Sequence, residues 1–492
     1  MKKIRLTILI LGKVMTRYAR KILFRFKREK SFSDFRTTPS KNSKALHLAN
    51  QKIVLLGILA VLLLGFLIGI SSRLKHKNTI SEGLVGVYTK DNLPPVVTNL
   101  LSEPLISLDR SGMPQPKVAS EWQTDEKVQV YKVKLRDNLK WNDQTGLKSF
   151  DLRFNLPDVE VSYPDQTTIE FKLADSFTPF PTLLTDPLFK EGSLIGLGKF
   201  RVAQEESSHN LLTKLVLVPV SPNDNYPQVI IRFYPDEKTA QTAFELGEVE
   251  SLVGLSEGEG LINQPSVMIK RMTNFNKIVA IFYNTSKELF SDKNKNFRKA
   301  LSFATPSIEG EERAKTPIPQ HSWAYNDQIK GYLNDPHLVQ SYLSKAGTTS
   351  ATPIVLTTTP VLMKIGERIV QSWNKAGIAA VLRVEGGIPQ DFQALLITQS
   401  IPSDPDQYAL WHSTQQLTNL SKYSFARVDK DLEDGRRVTD IAKRKEKYLD
   451  FQKVLVEDSP ATFLYFPKTQ VIYRKKSEEL LNKILPFQIP HI

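Results

Sequence analysis

The stretch "QVIIRFYPDEKTAQTAFELGEVESLVGL", residues 228–255, decides the fold class of this chain. Its first residues are β-branched and aromatic, which predicts a strand. The middle predicts a helix that Asp236 can cap and Gly247 can end, and the last seven letters predict a second strand. A strand, a helix and a strand in this order form a βαβ unit, whose strands are parallel and whose crossover is right-handed.

A second unit of the same kind follows over residues 352–384, where the strand "TPIVLTTT", a long amphipathic helix and the strand "IAAVLRV" succeed one another. A further strand (277–284) and helix (295–304) lie between the two units. Two separated α/β regions predict two lobes. Residues 128–175 instead hold short alternating strands with turn residues between them, which predicts a small antiparallel section.

The net charge of +14 is concentrated at the N-terminus. Residues 1–52 hold 15 Lys and Arg against Glu29 and Asp34, whereas the remaining 440 residues hold 51 basic and 50 acidic ones. A nucleic-acid-binding face needs basic charge on the folded body, so nucleic acid is not expected as a partner. The arm is either a basic amphipathic helix on an anionic membrane surface or a disordered tail that only sets topology.

The segment "IVLLGILAVLLLGFLIGI", residues 53–70, has eighteen apolar residues and no charge. As a helix it would be about 27 Å long, close to the thickness of the hydrocarbon core. Positive charge prefers the cytoplasmic side, so the N-terminus is expected inside and the body outside the cell membrane. The arm is too long for the start of a signal peptide and no A-x-A site follows, which favours an uncleaved single-pass anchor over a cleaved signal.

The chain contains no cysteine. Disulfides, thiolate catalysis and cysteine zinc sites are therefore excluded. The seven histidines are scattered without the spacing of a zincin helix, and neither a P-loop nor a G-x-S-x-G motif occurs. The sequence predicts no cofactor, no metal and no catalytic residue, and it favours a binding protein over an enzyme.

One stretch keeps a chemical alternative open: "SIPSDPDQYALWHS", residues 400–413. Asp404 and Asp406 flank a proline, and Tyr408 and Trp411 follow three residues apart. The two acids fit either the carboxylate pair of an anchored hydrolase or, more commonly, a turn in which the Asp side chains accept hydrogen bonds from local amides. The two aromatic residues fit either the wall of a cleft or packing inside a lobe.

Motifs of one known family recur in order over about 380 residues of the chain. Residues 102–122 resemble its opening segment, and residues 243–250 and 423–466 resemble a helix end and the last third. Residues 130–154 resemble its W-x-D-G-x-P-x-T-A-x-D-V-x-F hallmark, with matches at Trp141, Asp143, Asp151 and Phe154 and departures at Gln144, Gly146, Lys148 and Ser149. The family is that of the family 5 extracellular solute-binding proteins, which include dipeptide- and oligopeptide-binding components of ABC importers.

The resemblance implies an α/β, two-lobed clamp like the periplasmic binding proteins, with a small extra subdomain. The apolar segment adds one N-terminal transmembrane helix before it. The expected division is a basic cytoplasmic arm (1–52), a transmembrane helix (53–70), a tether (71–82), lobe I (83–110, 190–262 and 466–492), a subdomain on lobe I (111–189) and lobe II (263–465).

The resemblance also implies that the clamp captures a peptide or a similar small solute by hinge closure. The closed clamp would then deliver the solute to ABC permease subunits that work with cytoplasmic ATPases. A ligand sensor or an extracellular chaperone that uses the same fold without transport stays open as an alternative.

In the family, an aspartate three residues before the D-P-D turn commonly pairs with the free α-amino group of a peptide. Here that position is Ile401, and an apolar residue cannot neutralise an ammonium group buried in a cleft. Either one of the nearby acids takes this role or, as we favour, the ligand has no free amino terminus there. The full set of expected ligand-binding residues is Glu103, Asn284, Ile401, Asp404, Asp406, Tyr408, Trp411 and Asn419.

Overall fold

The computed structural model describes residues 78–255, 261, 264–347 and 352–488. The predicted basic arm (1–52) and the predicted transmembrane helix (53–70) lie outside these residues. No helix within the described ranges combines the length and the hydropathy that a membrane span requires.

The described residues form both strands and helices, which confirms the predicted α/β class. The strands are β1 (Thr79–Val85), β2 (Ile106–Leu108), β3 (Pro114–Pro116), β4 (Ala119–Thr124), β5 (Val130–Leu135), β6 (Val159–Ser162), β7 (Thr168–Leu173), β8 (Phe200–Ser208), β9 (Leu211–Pro219), β10 (Gln228–Tyr234), β11 (Ser251–Leu255), β12 (Val267–Thr273), β13 (Lys277–Tyr283), β14 (Ile354–Thr358), β15 (Ala380–Val384), β16 (Ala394–Ser400), β17 (Ala461–Tyr465) and β18 (Lys468–Arg474). The α-helices are α1 (Pro95–Leu101), α2 (Glu237–Leu246), α3 (Lys295–Ala304), α4 (Pro336–Ala346), α5 (Met363–Lys375), α6 (Tyr408–Trp411), α7 (Ala426–Arg437), α8 (Ile441–Asp458) and α9 (Glu478–Gln488).

The largest sheet has seven strands in the order β12-β18-β11-β1-β10-β9-β8. It contains the βαβ unit predicted from residues 228–255, because β10 and β11 both pair in parallel with β1, which lies between them. Asp236 caps α2 by accepting a hydrogen bond from the backbone N–H of Thr239 at 2.9 Å, and Gly247 ends the helix with a φ of 79°. We call this sheet and the helices packed on it lobe I.

A second sheet has five strands in the order β15-β14-β16-β13-β17. The strands β14 and β15 are connected by α5 and pair in parallel, as the sequence predicts. The apolar run of β13 is buried on both faces, because Ile278 and Phe282 belong to one core while Val279 and Ile281 belong to another. We call residues 277–465, which include this sheet, lobe II.

The antiparallel section predicted for residues 128–175 is confirmed as part of a four-stranded sheet with the order β4-β5-β7-β6. Its own core includes Trp141 and Phe171, which are buried. We call residues 111–189 the subdomain.

Two predicted boundaries disagree with the strand pairing. The tether expected over residues 71–82 ends earlier, because β1 begins at Thr79 and is paired on both sides. Lobe II was expected to start at residue 263, but β12 pairs with β18 in the sheet of lobe I, so lobe II starts at β13. Both errors have one cause: each segment becomes a strand by pairing with strands that are distant in the sequence.

Two short segments connect the lobes. They are residues 274–276, between β12 and β13, and residues 466–467, between β17 and β18. The segments run side by side, since the backbone N–H of Asn274 donates to the carbonyl of Pro467 at 2.7 Å. The rings of Phe275 and Phe466 pack with centroids 5.6 Å apart. Two adjacent short connections between complete lobes have the geometry of a hinge.

Candidate ligand-binding region between the lobes

The loop of residues 400–413 leaves β16 next to the first connecting segment. The N–H of Ile401 donates to the carbonyl of Asn276 at 2.9 Å, and the hydroxyl of Ser403 lies 3.1 Å from the side-chain oxygen of Asn276. The side chain of Ile401 is only 5% exposed and lies in the core of lobe II, beside a cavity of about 10 Å³ that Trp411 also lines. Ile401 is therefore a core residue at the base of the loop.

Asp404 is buried and is held by a guanidinium of the same lobe. Arg444 in α8 donates to both carboxylate oxygens, at 2.6 and 3.1 Å, and also to the carbonyl of Gly435 at 2.8 Å. Burial alone would lower the pKa of Arg444, but Asp404 raises that pKa above its usual range. A bidentate pair of this kind fixes orientation as well as charge. The pair therefore anchors the loop to α8.

Asp406 pairs with a second arginine. Its Oδ2 accepts from Nε of Arg436 at 3.0 Å, and its Oδ1 accepts from the backbone N–H of Tyr408 at 3.1 Å. Its own N–H donates to Oδ1 of Asp404 at 2.8 Å, which is the local turn bonding expected for D-P-D. Burial raises the pKa of Asp406 even though Arg436 opposes this effect.

The pairing of both acids has a direct chemical consequence. Asp404 and Asp406 each bind their own arginine, so they do not form the proton-sharing pair that a hydrolase would use. The same pairing leaves neither carboxylate unpaired for a ligand ammonium group.

The two aromatic residues of the loop have different surroundings. Trp411 is buried in the core of lobe II, where its Nε1 donates to Gln407 Oε1 at 2.9 Å. Tyr408 is half-buried and stacks on His412, with ring centroids 4.0 Å apart. Trp411 therefore packs inside the core of lobe II, whereas Tyr408 lies at the edge of that core.

The remaining expected site residues lie elsewhere. Asn284 follows the end of β13 that is remote from the connecting segment 274–276, and its amide donates to the carbonyl of Phe392. Asn419 is buried and its amide donates to the carbonyl of Tyr423 at 2.8 Å. Glu103 of lobe I forms an ion pair with Lys117 at 3.2 Å. Asn284 and Asn419 therefore have partners within lobe II, and Glu103 has one in the subdomain.

The structure brings together residues that the sequence did not single out. Three of the contacts that join the subdomain to lobe II involve the backbone. The backbone N–H of Trp323 donates to the carbonyl of Ser111 at 3.0 Å, and that of Thr178 donates to the carbonyl of Arg436 at 2.7 Å. The third contact is at Gly112, where a Cβ atom would lie 3.0 Å from the carbonyl oxygen of Ser403.

Two polar atoms beside these contacts have no hydrogen-bond partner among the described residues. They are the indole Nε1 of Trp323 and the hydroxyl of Thr178, and both atoms are buried. The guanidinium of Arg444 lies 5.3 Å from the ring centroid of Trp323. Buried donors almost always have a hydrogen-bond partner, so these two donors are candidates for binding a ligand or an ordered water molecule.

A metal centre has no support in the described part of the chain, which contains no group of three or more His, Asp or Glu side chains able to hold an ion. The contact between the subdomain and lobe II is instead aromatic and hydrogen-bonding in character. Its only local sequence signal is the glycine of "DRSGM", because Gly112 has a φ of 83° and lies in a tight turn. Nothing near Thr178 or Trp323 in the sequence marks their backbone partners across this contact, Arg436 and Ser111, which are more than 200 residues away.

Comparisons with known proteins agree with this architecture. A family model described as bacterial extracellular solute-binding proteins, family 5 Middle, matches residues 148–416. The dipeptide-binding protein of Escherichia coli strain K12 is 22% identical over 433 residues, which cover 71% of this chain and 80% of that protein.

Solved structures share the fold. The binding protein DppA of Helicobacter pylori, in complex with the peptide STSA, superposes with a TM-score of 0.59 at 20% identity and covers 81% of this chain and 94% of its own. A nickel ABC transporter structure from Bacillus halodurans gives a TM-score of 0.67 at 16% identity, with 81% and 95% covered. The named ligands of these proteins differ, so the fold alone does not define the ligand.

Proposed function

Because the chain belongs to the bacterial extracellular solute-binding proteins of family 5, we propose that it captures a peptide or a similar small solute between lobe I and lobe II. The observation that carries this proposal is the pair of adjacent connecting segments, 274–276 and 466–467, which allows a hinge between two complete lobes. A ligand that contacts both lobes would shift the population towards the closed arrangement.

Delivery to an ABC permease with cytoplasmic ATPases is the second part of the proposal. We propose that residues 53–70 hold the chain in the cell membrane, with the N-terminus inside and the lobes outside. The support for this topology is the uncharged apolar stretch and the excess of Lys and Arg before it. Tethering beside the membrane would keep the loaded clamp close to its permease.

We propose that the ligand is bound where the subdomain meets lobe II. The unused donors, Trp323 Nε1 and Thr178 Oγ1, would bind oxygen acceptors such as the backbone carbonyls of a peptide. Hydrogen bonds to a ligand backbone would tolerate different side chains, which suits a carrier of mixed peptides.

A free peptide amino terminus is not part of this proposal for residues 400–413. Ile401 is buried in the core, and the acids at 404 and 406 are paired with arginines. A ligand whose charged amino group had to lie against this loop would lose its hydration without gaining a partner.

The capture proposal is tested by native mass spectrometry of the full-length chain, purified gently from its own cells. We expect a small solute bound at one copy per chain, and we expect uptake of that solute to fall when the gene is deleted. If uptake is unchanged while a response to the solute is lost, the chain is a sensor. If no solute is bound and deletion of the gene leaves peptide uptake unchanged, the capture proposal is wrong.

The ligand contacts are tested by two substitutions that remove one donor each. Trp323→Phe removes the indole N–H, and Thr178→Val removes the hydroxyl while keeping the backbone N–H that binds Arg436. Neither donor has a protein partner among the described residues, so both variants should keep their unfolding temperature but retain less solute. Trp122→Phe in the subdomain is the matched control, and equal solute retention in all variants would contradict the assignment.

A further inference from the structure

A stack of three side chains crosses from the subdomain to lobe II. The guanidinium carbon of Arg436 lies 4.7 Å from the ring centroid of Phe177 and 4.3 Å from that of Tyr408. Arg436 and Tyr408 belong to lobe II, whereas Phe177 belongs to the subdomain. The planar guanidinium therefore contacts aromatic rings of two different parts of the molecule.

Lobe II holds Arg436 in place for this contact. Its Nε donates to Asp406 at 3.0 Å, and Tyr408 in turn stacks on His412 with an angle of 21° between the rings. The guanidinium is thus oriented before the subdomain meets it. Phe177 is the one member of the stack that would leave if the lobes separated.

A backbone hydrogen bond lies beside the stack. Arg436 is in the last turn of α7, where carbonyl groups have no partner inside the helix. The N–H of Thr178 donates to this carbonyl at 2.7 Å, so the subdomain completes the end of a helix in lobe II. Separation of the lobes would return both groups to water.

We infer that Phe177 and Thr178 of the subdomain form a latch with Arg436 of lobe II, and that this latch holds the lobes together before any ligand binds. The inference rests on the proposed hinge, and it deepens the proposed function by adding a contact that regulates closure. Its role is to set the ratio of closed to open clamps in the absence of a ligand.

The latch is tested without ligand, by measuring the distance between the lobes. The chain has no cysteine, so single cysteines at the exposed positions Asp137 in the subdomain and Gln390 in lobe II can each carry one dye. The full-length chain in detergent is dialysed until native mass spectrometry finds no bound solute. Single-molecule energy transfer then gives the ratio of closed to open molecules.

Phe177→Leu keeps an apolar side chain but removes the aromatic face. Because an exposed cation–π contact changes an equilibrium about two- to fivefold, we expect the ratio of closed to open molecules to fall by that factor. Arg436→Lys, which keeps a charge for Asp406 but loses the planar stack, should shift the ratio in the same direction.

Phe150→Leu is the matched control, because Phe150 lies in the same subdomain and contacts Lys148 there instead of lobe II. We expect its distance distribution to match that of the unsubstituted chain. The latch is wrong if Phe177→Leu and Phe150→Leu give the same distribution, or if the unsubstituted chain shows only the open distance. Failure of the latch would leave solute capture untouched, since capture is measured separately by the bound solute.

Discussion

A buried carboxyl group of lobe I and one of lobe II are compensated in different ways. Glu82 in β1 is fully buried and accepts hydrogen bonds only from neutral groups, the hydroxyl of Ser251 at 3.1 Å and the amide of Gln488 at 2.6 Å. Burial raises its pKa to about 7. Asp404 instead binds the charged Arg444 through both oxygens.

The comparison teaches what each acid does. Glu82 joins three elements of the core of lobe I and is most stable there when protonated. Asp404 stays in a charged pair that fixes the loop of residues 400–413 to α8. The acid in this loop is thus part of the framework, and the ligand contacts are expected instead at the indole N–H of Trp323 and the hydroxyl of Thr178.

The largest expected effect comes from breaking the charged pair. Asp404→Asn leaves the side-chain shape but strands the buried guanidinium of Arg444. Loss of one partner of a buried pair destabilises by about 3–5 kcal/mol. We expect this loss in the free energy of unfolding, measured by urea denaturation at pH 7.

The control for this prediction is a more exposed pair that is also held by two hydrogen bonds. Asp450 binds Arg427 through two bonds, of 2.6 and 2.7 Å, but the arginine side chain is 60% exposed. Asp450→Asn should therefore change the unfolding free energy by at most about 1 kcal/mol. Equal losses for Asp404→Asn and Asp450→Asn would mean that burial does not distinguish the two pairs.

The next effect is a pH dependence from Glu82. Its pKa in the folded chain, about 7, lies above the ordinary value of 4.5, so its stabilisation is complete below pH 4.5 and is lost as the pH rises through 7. A shift of this size corresponds to on the order of 3 kcal/mol at most. We expect Glu82→Gln to lose less stability than the unsubstituted chain between pH 5 and pH 8.

Urea denaturation of both proteins at the two pH values measures this difference directly. Burial also raises the pKa of Asp431 in lobe II, so the comparison between the variant and the unsubstituted chain is the informative quantity. The same pH dependence in both proteins would contradict the role given to Glu82.

The smallest effect is expected at Asp406. Like Asp404 it binds a charged arginine, and like Glu82 its pKa is raised by burial. Its pKa is raised by burial in spite of Arg436, so its charge stabilises lobe II little. Asp406→Asn should change the unfolding free energy by less than about 1 kcal/mol, measured as for Asp404→Asn. A loss comparable with that of Asp404→Asn would show that the second pair also anchors the loop.

Much of the fold follows from local patterns in the sequence. The βαβ units at 228–255 and 352–384 and the antiparallel section all have the expected periodicity. The start of β1 was missed because Glu82 interrupts its apolar pattern, and that carboxyl group is accommodated by Gln488, 406 residues away. Pairing across such distances leaves no trace in a local pattern.

The candidate site was less predictable than the fold. The D-P-D turn is recognisable, yet the anchoring of Asp404 depends on Arg444, 40 residues further along the chain, and the pairing of Asp406 depends on Arg436, 30 residues further along. Phe177 and Trp323 became visible only when the subdomain and lobe II were placed in contact. Side chains that meet across two folded parts cannot be paired from one sequence.

The most direct test of the central claim is hydrogen–deuterium exchange of the full-length chain with and without its co-purifying solute. If the solute is clamped between the lobes, protection should increase on both sides, at residues 109–113 and 177–180 of lobe I and its subdomain and at residues 321–325 of lobe II. Protection confined to one lobe, or absent from both, would contradict the clamp.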